Sequence, residues 1–192
     1  DLCILISALL NHRGIIYYHD TVQKIDLGKK TIKAKFADSI PFDFLVMAVG
    51  AQTNYYNVDG AQKNSFDLKT KADAQKIYEY IHNVLSKKQK HNFVICGGGL
   101  TGVEFAGTLI DHIHASCKKL NCRIGNYSVT IVQSSPFILP SLPQKAREFA
   151  ANYLENKGVR ILSGFRVNRI SKKFIFSKSR KIPFDMTIWA GG

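Results

Sequence analysis

Gly97-Gly98-Gly99-Leu100-Thr101-Gly102 follows the apolar run Phe93–Cys96 and leads into Val103-Glu104-Phe105-Ala106-Gly107. A G-x-G-x-x-G pattern between a strand and a helix is a phosphate-binding device. Gly97 takes the tight turn, Gly99 lets the backbone approach a pyrophosphate, and Gly102 lets the helix pack against the strand. Free amides and the helix dipole favour an anion at that end. The spacing therefore predicts a dinucleotide site over Gly97, Gly98, Gly99, Leu100, Thr101 and Gly102. The next strand ends at Gln133-Ser134-Ser135. An acid there would accept from the ribose 2′-hydroxyl of NADH, and an arginine would meet the 2′-phosphate of NADPH. Gln133 can bond a hydroxyl without repelling a phosphate, and no arginine follows at once. NADH is the first expectation, with NADPH left open.

Other residues offer rival chemistry. His112, His114, Cys117 and Cys122 read H-x-H-x2-C-x4-C, which suggests a metal centre. On one helix only His114 and Cys117 share a face, so no metal is expected. Cys117 and Cys122 could form a redox pair. The intervening Lys118-Lys119-Leu120-Asn121 reads as a helix exit, which puts the pair beyond the helix and away from the nucleotide. Tyr17-Tyr18 and Tyr55-Tyr56 read as packing and loop aromatics.

The elements that must position the glycine loop alternate along the chain. Lys71–Ser86 carries apolar residues at helical spacing, and Phe93–Cys96 is a short strand. Thr101–Ala115 is a helix, Val129–Gln133 a strand, and Lys145–Lys157 a helix closed by Gly158. Strand–helix–strand–helix implies a parallel sheet with right-handed crossovers. Lys87-Lys88-Gln89-Lys90 reads as a solvated turn. Flanking this core is an internal repeat. Residues 14–51 and 158–192 both start at Gly, pass through a Lys-Lys hairpin, and reach Ile-Pro-Phe-Asp and an apolar strand ending in Gly. Ile40-Pro41-Phe42-Asp43 matches Ile182-Pro183-Phe184-Asp185 without a gap. Expected strands are Ile15–His19, Thr21–Asp26 and Lys30–Phe36 in the first copy, with a turn at Gly28. In the second copy they are Arg160–Leu162, Phe165–Ile170 and Lys173–Ser177. The final strands, Phe44–Val49 and Met186–Ala190, are apolar enough to be buried on both faces.

Composition limits the alternatives. The chain has 192 residues, 45% of them hydrophobic and 21% charged, which excludes a disordered or collagen-like chain. Four cysteines are too few for a disulfide framework and point to a reducing compartment. No run approaches the length of a membrane-spanning helix; Cys3–Leu10 is short enough for a buried helix or strand. The net charge is +13. Residues 1–66 hold 7 basic and 6 acidic side chains, whereas residues 67–192 hold 20 and 8. The anion site is expected in the second part. The lysines are scattered over hairpins and linkers, so a dinucleotide or anionic lipid explains them better than a nucleic acid does. The start at Asp1 and the stop at Gly192 suggest a piece of a longer protein.

FDFLVMAVGAQTNYYNVDGAQKNSFDLKT, FVICGGGLTGVEFAGTL and PFDMTIWAGG resemble two-dinucleotide-binding-domain flavoproteins, above all the type II NADH dehydrogenases (NADH:quinone oxidoreductases). The likeness spans nearly the whole chain. It implies an α/β fold of Rossmann-like FAD/NAD(P)-binding domains, each with a parallel sheet plus a three-stranded β-meander, repeated. Residues 1–66 would be part of the FAD domain and residues 67–192 the NAD(P) domain. The resemblance assigns Gly97, Gly99 and Gly102 to the NAD(P) pyrophosphate and Gln133 to the adenosine ribose. Ala48, Gly50 and Ala51 would approach FAD, with Val22 by its adenine; Ala190 and Gly191 are their counterparts in the NAD(P) domain. Glu104 would face the nicotinamide–flavin zone as the catalytic acid. A helix acid stabilised by the dipole is the equal alternative for Glu104. The implied activity is hydride transfer from NAD(P)H to flavin, with electrons passing to a quinone or other small acceptor. Also implied are peripheral membrane association on a cytoplasmic or organelle-matrix face, and compatibility with a homodimer. A related reductase for a disulfide, sulfide or carrier protein is the alternative, as is a binding module without turnover. The family's first FAD glycine loop, its later FAD and quinone segments and its membrane-attachment region are not in these residues, so this piece alone should bind FAD poorly and catalyse little.

Overall fold

Leu10 and residues 14–37 and 39–192 are described by the computed structural model, whose contacts divide the chain into Asp1–Gly50 and Ala51–Gly192. The run Cys3–Leu10, Leu10 excepted, lies outside the described residues.

In the first unit, β1 (Val22–Asp26), β2 (Thr31–Ala34) and β3 (Ile40–Pro41) form an antiparallel meander in that order. The β1–β2 turn is held by Lys29, whose amide donates to Asp26 Oδ1 at 2.9 Å, and by Lys30 in the left-handed region at φ 49°. Asp20 accepts from the amides of Phe36 and Ala37 at 2.9 and 3.0 Å, closing the far end. Ile15–His19 is not a strand among the described residues, and neither is Phe44–Val49. Phe44, Val46 and Val49 are 93%, 85% and 82% exposed, against the expectation of burial on both faces. A strand exists only where a neighbour takes its amides and carbonyls, and no described strand lies beside this run.

The second unit shows the same run with its neighbour present. Its parallel sheet has the order β10 (Met186–Trp189), β4 (His91–Cys96), β5 (Tyr127–Val132), β6 (Val159–Leu162). All four residues of β10 are buried, in register with Phe93–Cys96. Side chains alternate across the sheet. Phe93, Ile95, Val129, Ile131, Met186 and Ile188 join a core with the helices. Val94, Cys96, Val132 and Trp189 join a second core on the opposite face. The helical layer is α2 (Lys71–Ser86), α3 (Leu100–Leu120) and α4 (Gln144–Asn156), preceded by the short α1 (Ala61–Asn64). Each of these large apolar side chains contributes about 1.5–3 kcal/mol through burial.

Local chemistry sets the helix ends. Thr70 and Asp73 make a capping box at α2. Asn121, at φ 50°, turns the chain out of α3, which runs past the expected Ala115. Gly158, at φ 92°, ends the α4 exit.

The opposite face is covered by β7 (Arg169–Ile170), β8 (Phe174–Phe176) and β9 (Lys181–Pro183), a second antiparallel meander. Arg160–Leu162, expected in this meander, belongs to the parallel sheet as β6, paired with β5. Only Arg169–Ile170 of the expected Phe165–Ile170 strand pairs with β8. The repeat nevertheless extends to single hydrogen bonds. Phe42 donates its amide to Lys30 O and Phe184 donates to Lys173 O, both at 3.0 Å. Pro41 and Pro183 both sit on the third, edge strand, where a missing N–H costs no ladder bond.

Residues 51–66 pack with the second unit. Ala61 is fully buried, Asn64 Nδ2 donates to Ile170 O at 2.8 Å, and Phe66 exchanges backbone bonds with Thr187 and Trp189. Trp189 Nε1 donates to Asn54 O at 2.9 Å. The compact unit thus begins at Ala51, ahead of residue 67, where the resemblance puts the start of the NAD(P) domain.

Candidate functional site

The glycine loop is shaped by two interlocks. Gly97 has φ 121°, and a Cβ there would lie 2.4 Å from Ala190 O. A Cβ at Gly102 would lie 1.9 Å from Gly97 O. These two glycines therefore let β4, α3 and the end of β10 meet. The loop is pinned further by its own bonds. The Gly97 amide donates to Val132 O at 2.9 Å and the Leu139 amide to Gly98 O at 2.7 Å. Gly98 donates its amide to Gln133 Oε1 at 3.0 Å.

Gly99 is different. It has ordinary backbone angles, and a Cβ there would meet nothing within 4 Å. That open space lies over the first turn of α3, whose amides at Leu100, Thr101 and Gly102 have no intrahelical acceptor. The arrangement leaves open space at the positive end of a 21-residue helix, where an anion such as a pyrophosphate could be held.

Two cavities in this unit adjoin the C-terminal ends of the strands. One, of about 400 Å³, is lined by Tyr56, Gly97, Gln133, Ser134, Arg166 and Gly191, among others. The other, of about 240 Å³, is lined by Thr53, Lys69, Thr101, Ala190, Gly191 and Gly192, among others. Trp189 and Gly191 line both. The layout lies outside the carboxyl ends of a parallel sheet, where a dinucleotide could be held with one half toward each cavity.

Cys96 lines the larger cavity, but burial pushes its thiol up to about 12, so it is no nucleophile. Nearby, Tyr55 donates to Asp67 Oδ1 at 2.6 Å. Burial, then that carboxylate, holds its hydroxyl at about 12. The bond and the Tyr55–Trp189 ring contact at 5.9 Å steady the cavity wall.

Arg166 is the residue that reading along the chain missed. It follows β6, far from Gln133 in sequence, yet Phe165 donates its amide to Gln133 O at 2.8 Å and Gly164 to Ser135 O at 3.1 Å. These bonds lock the β6 exit onto the β5 exit. The available signal was the parallel pairing of β5 with β6, which places their C-terminal ends side by side.

The other expected residues divide clearly. Gly97, Gly98, Gly99, Leu100, Thr101, Gly102, Gln133, Ala190 and Gly191 all lie around the loop and cavities. Glu104 is exposed on α3, past the first turn, and lines neither cavity. Val22, Ala48 and Gly50 are exposed residues of the first unit and form no cradle by themselves; Ala51 opens the second unit.

Residues 7–192 match the sequence profile of the pyridine nucleotide-disulphide oxidoreductases. The chain belongs to this family. Relatives in it include an external alternative NAD(P)H-ubiquinone oxidoreductase B1, mitochondrial, of Solanum tuberosum. It is 31% identical over 80% of this chain and 30% of its own length. A type II NADH:quinone oxidoreductase of Staphylococcus saprophyticus is 28% identical over 100% of this chain and 50% of its own. The chain thus spans half or less of the length of these relatives. Among solved structures, NDH2 of Plasmodium falciparum in complex with NADH has the same fold, with a TM-score of 0.75 at 24% identity. That match covers 92% of this chain and 40% of that one. The fold, α/β with a parallel sheet and small antiparallel sheets, is the one expected from the strand–helix alternation and the resemblance.

In this pyridine nucleotide-disulphide oxidoreductase chain the cysteine pair lies away from the glycine loop, as expected, but only one of its members lies beyond the helix. Cys117 is on α3 and buried, not beyond the helix end, and Cys122 follows the Asn121 turn. Their sulfurs are 2.6 Å apart. Burial, then Cys122, pushes the Cys117 thiol up to about 12. The pair marks the far end of α3, about 25 Å along the helix from the glycine loop at 1.5 Å per residue. His112 turns to Ser116 Oγ at 3.5 Å, and among the described residues no cluster of three His, Cys, Asp or Glu could hold a metal. No helix among them is long and apolar enough to cross a membrane.

Proposed function

We propose that this chain is the nucleotide-binding part of a flavoprotein that oxidises NAD(P)H and passes the electrons to a quinone. The observation that carries the reading is the cradle at Gly99, open above the first turn of α3 and flanked by two cavities. Gly97, Gly98, Gly99, Leu100, Thr101 and Gly102 hold the pyrophosphate, and Gln133 stands at the adenosine ribose. Ala190 and Gly191 close the other side, toward the smaller cavity, which takes the nicotinamide half. Glu104 lies further along α3, outside both cavities, and in this reading its carboxylate meets the nicotinamide from the flavin side, orienting it or relaying a proton.

Residues 67–192 are the NAD(P) domain in this reading, and residues 1–66 are part of an FAD domain that Val22, Ala48, Gly50 and Ala51 help to form. FAD supplies the acceptor for the hydride; the chain's own part is to bind and aim the nicotinamide. The names of the potato and staphylococcal relatives support NAD(P)H as donor and quinone as acceptor. The mitochondrial label of the former supports an organelle setting. Peripheral attachment to the membrane and a homodimer belong to the same proposal.

The test uses the intact protein, purified with FAD supplied. It should be yellow and should oxidise NADH only when a soluble quinone is present. A protein that binds FAD and NADH but leaves the quinone oxidised would redirect the electrons to another acceptor. A colourless protein that takes up no FAD overturns the reading.

A further inference from the structure

The larger cavity carries a sharper statement about its ligand. Gly98 N–H can only donate, so the Gln133 atom 3.0 Å from it is the amide oxygen. Beside one remaining lone pair on that oxygen, the side chain still offers Nε2, a donor with both of its bonds unmade. Ser134, also in the lining, adds a hydroxyl. Arg166 is exposed in the same cavity and has no hydrogen-bond, ion-pair or ring partner among the described residues. The backbone bonds from Gly164 and Phe165 to Ser135 and Gln133 hold it beside those donors. A second cation, Arg180, rests on the Phe165 ring at 5.4 Å. No Asp or Glu lines the cavity.

A site for an unphosphorylated ribose profits from an acceptor for its 2′-hydroxyl. This one offers an amide NH2, a hydroxyl and an uncommitted guanidinium, the set that suits a phosphate dianion. We infer that Arg166, with Ser134 and Gln133 Nε2, binds a 2′-phosphate on the adenosine ribose, so that the chain takes NADPH and Arg166 is the residue that decides it. The inference rests on the reading of this cleft as a dinucleotide site.

Titration calorimetry of the intact protein separates the two. NADH, NADPH, 2′-AMP, 5′-AMP and inorganic phosphate are compared on the natural protein and on Arg166→Ala and Gln133→Glu. The natural protein should bind NADPH at least as tightly as NADH, and 2′-AMP more tightly than 5′-AMP or inorganic phosphate. Arg166→Ala should weaken NADPH about tenfold or more while changing NADH by less than about threefold, the scale of one lost charge-assisted bond. Gln133→Glu should weaken NADPH by a larger factor than NADH. NADH binding without NADPH binding overturns the inference and leaves the dinucleotide reading standing. Equal weakening of both nucleotides by Arg166→Ala also overturns it, because the arginine would then serve the shared part of the ligand. If neither nucleotide binds, the dinucleotide reading itself fails.

Discussion

Two glycines three positions apart have opposite surroundings, and that contrast separates folding from binding. Gly102→Ala places a methyl 1.9 Å from Gly97 O. Alanine's better helix propensity, worth about 1 kcal/mol, does not offset the clash. We expect a destabilisation of about 2 kcal/mol in urea unfolding, with nucleotide binding lost as well. Gly99→Ala has nothing within 4 Å to meet, so its stability should change by less than about 1 kcal/mol. Its methyl would nevertheless occupy the space of the pyrophosphate, and the Kd for NADH should rise at least about tenfold. If Gly99→Ala binds NADH normally, the cradle is not where the phosphates lie. The close packing at Gly102 was legible in the sequence, because a glycine pattern between a strand and a helix encodes its own geometry. Arg166 was not legible, because its relation to Gln133 exists only through the β5–β6 pairing. Ending α3 at Ala115 in the reading likewise hid that Cys117 is helical, since Cys122 reaches it only through the left-handed turn at Asn121.

At the scale of elements, β4 and β10 are registered at their N-terminal ends by a small polar cluster. Asp185 accepts from the Asn92 amide at 2.8 Å and donates its own amide to Asn92 O at 3.0 Å. His91 Nε2 lies 2.9 Å from Tyr80 Oη. Burial, partly opposed by Asp185, holds the His91 imidazole below its usual 6.5. The unfolded chain therefore binds the proton more readily than the folded one, and stability contributed by neutral His91 is lost as pH falls below about 6.5. Urea unfolding followed from about pH 7.5 to about pH 5.5 should show stability falling toward acid, and His91→Gln should flatten that slope. An unchanged slope would mean that other groups carry it. The Ile-Pro-Phe-Asp match predicted two equivalent strands following it. The second became β10 because β4 lies beside it, and Phe44–Val49, with the same apolar pattern, has no such neighbour among the described residues. Pattern states which residues can be a strand; pairing decides whether they are one.

At the scale of the molecule, both buried cores and both cavities are drawn from residues 55–190 and 53–192 respectively, all inside the second unit. The surplus positive charge is concentrated in the same stretch. A polypeptide of residues 51–192 should therefore unfold in one cooperative transition and bind NADH within about threefold of the intact protein. Probes of backbone and side chains that melt at different urea concentrations would overturn the single transition. The interlock of Gly97 with Ala190 also has a consequence for biosynthesis. The glycine loop takes its shape against the end of β10, and chains elongate at about 5–20 residues per second. The loop therefore leaves the ribosome seconds before the strand that moulds it. NADH or NADPH in the cell then cannot nucleate this domain as the loop emerges, and ligand capture waits for β10.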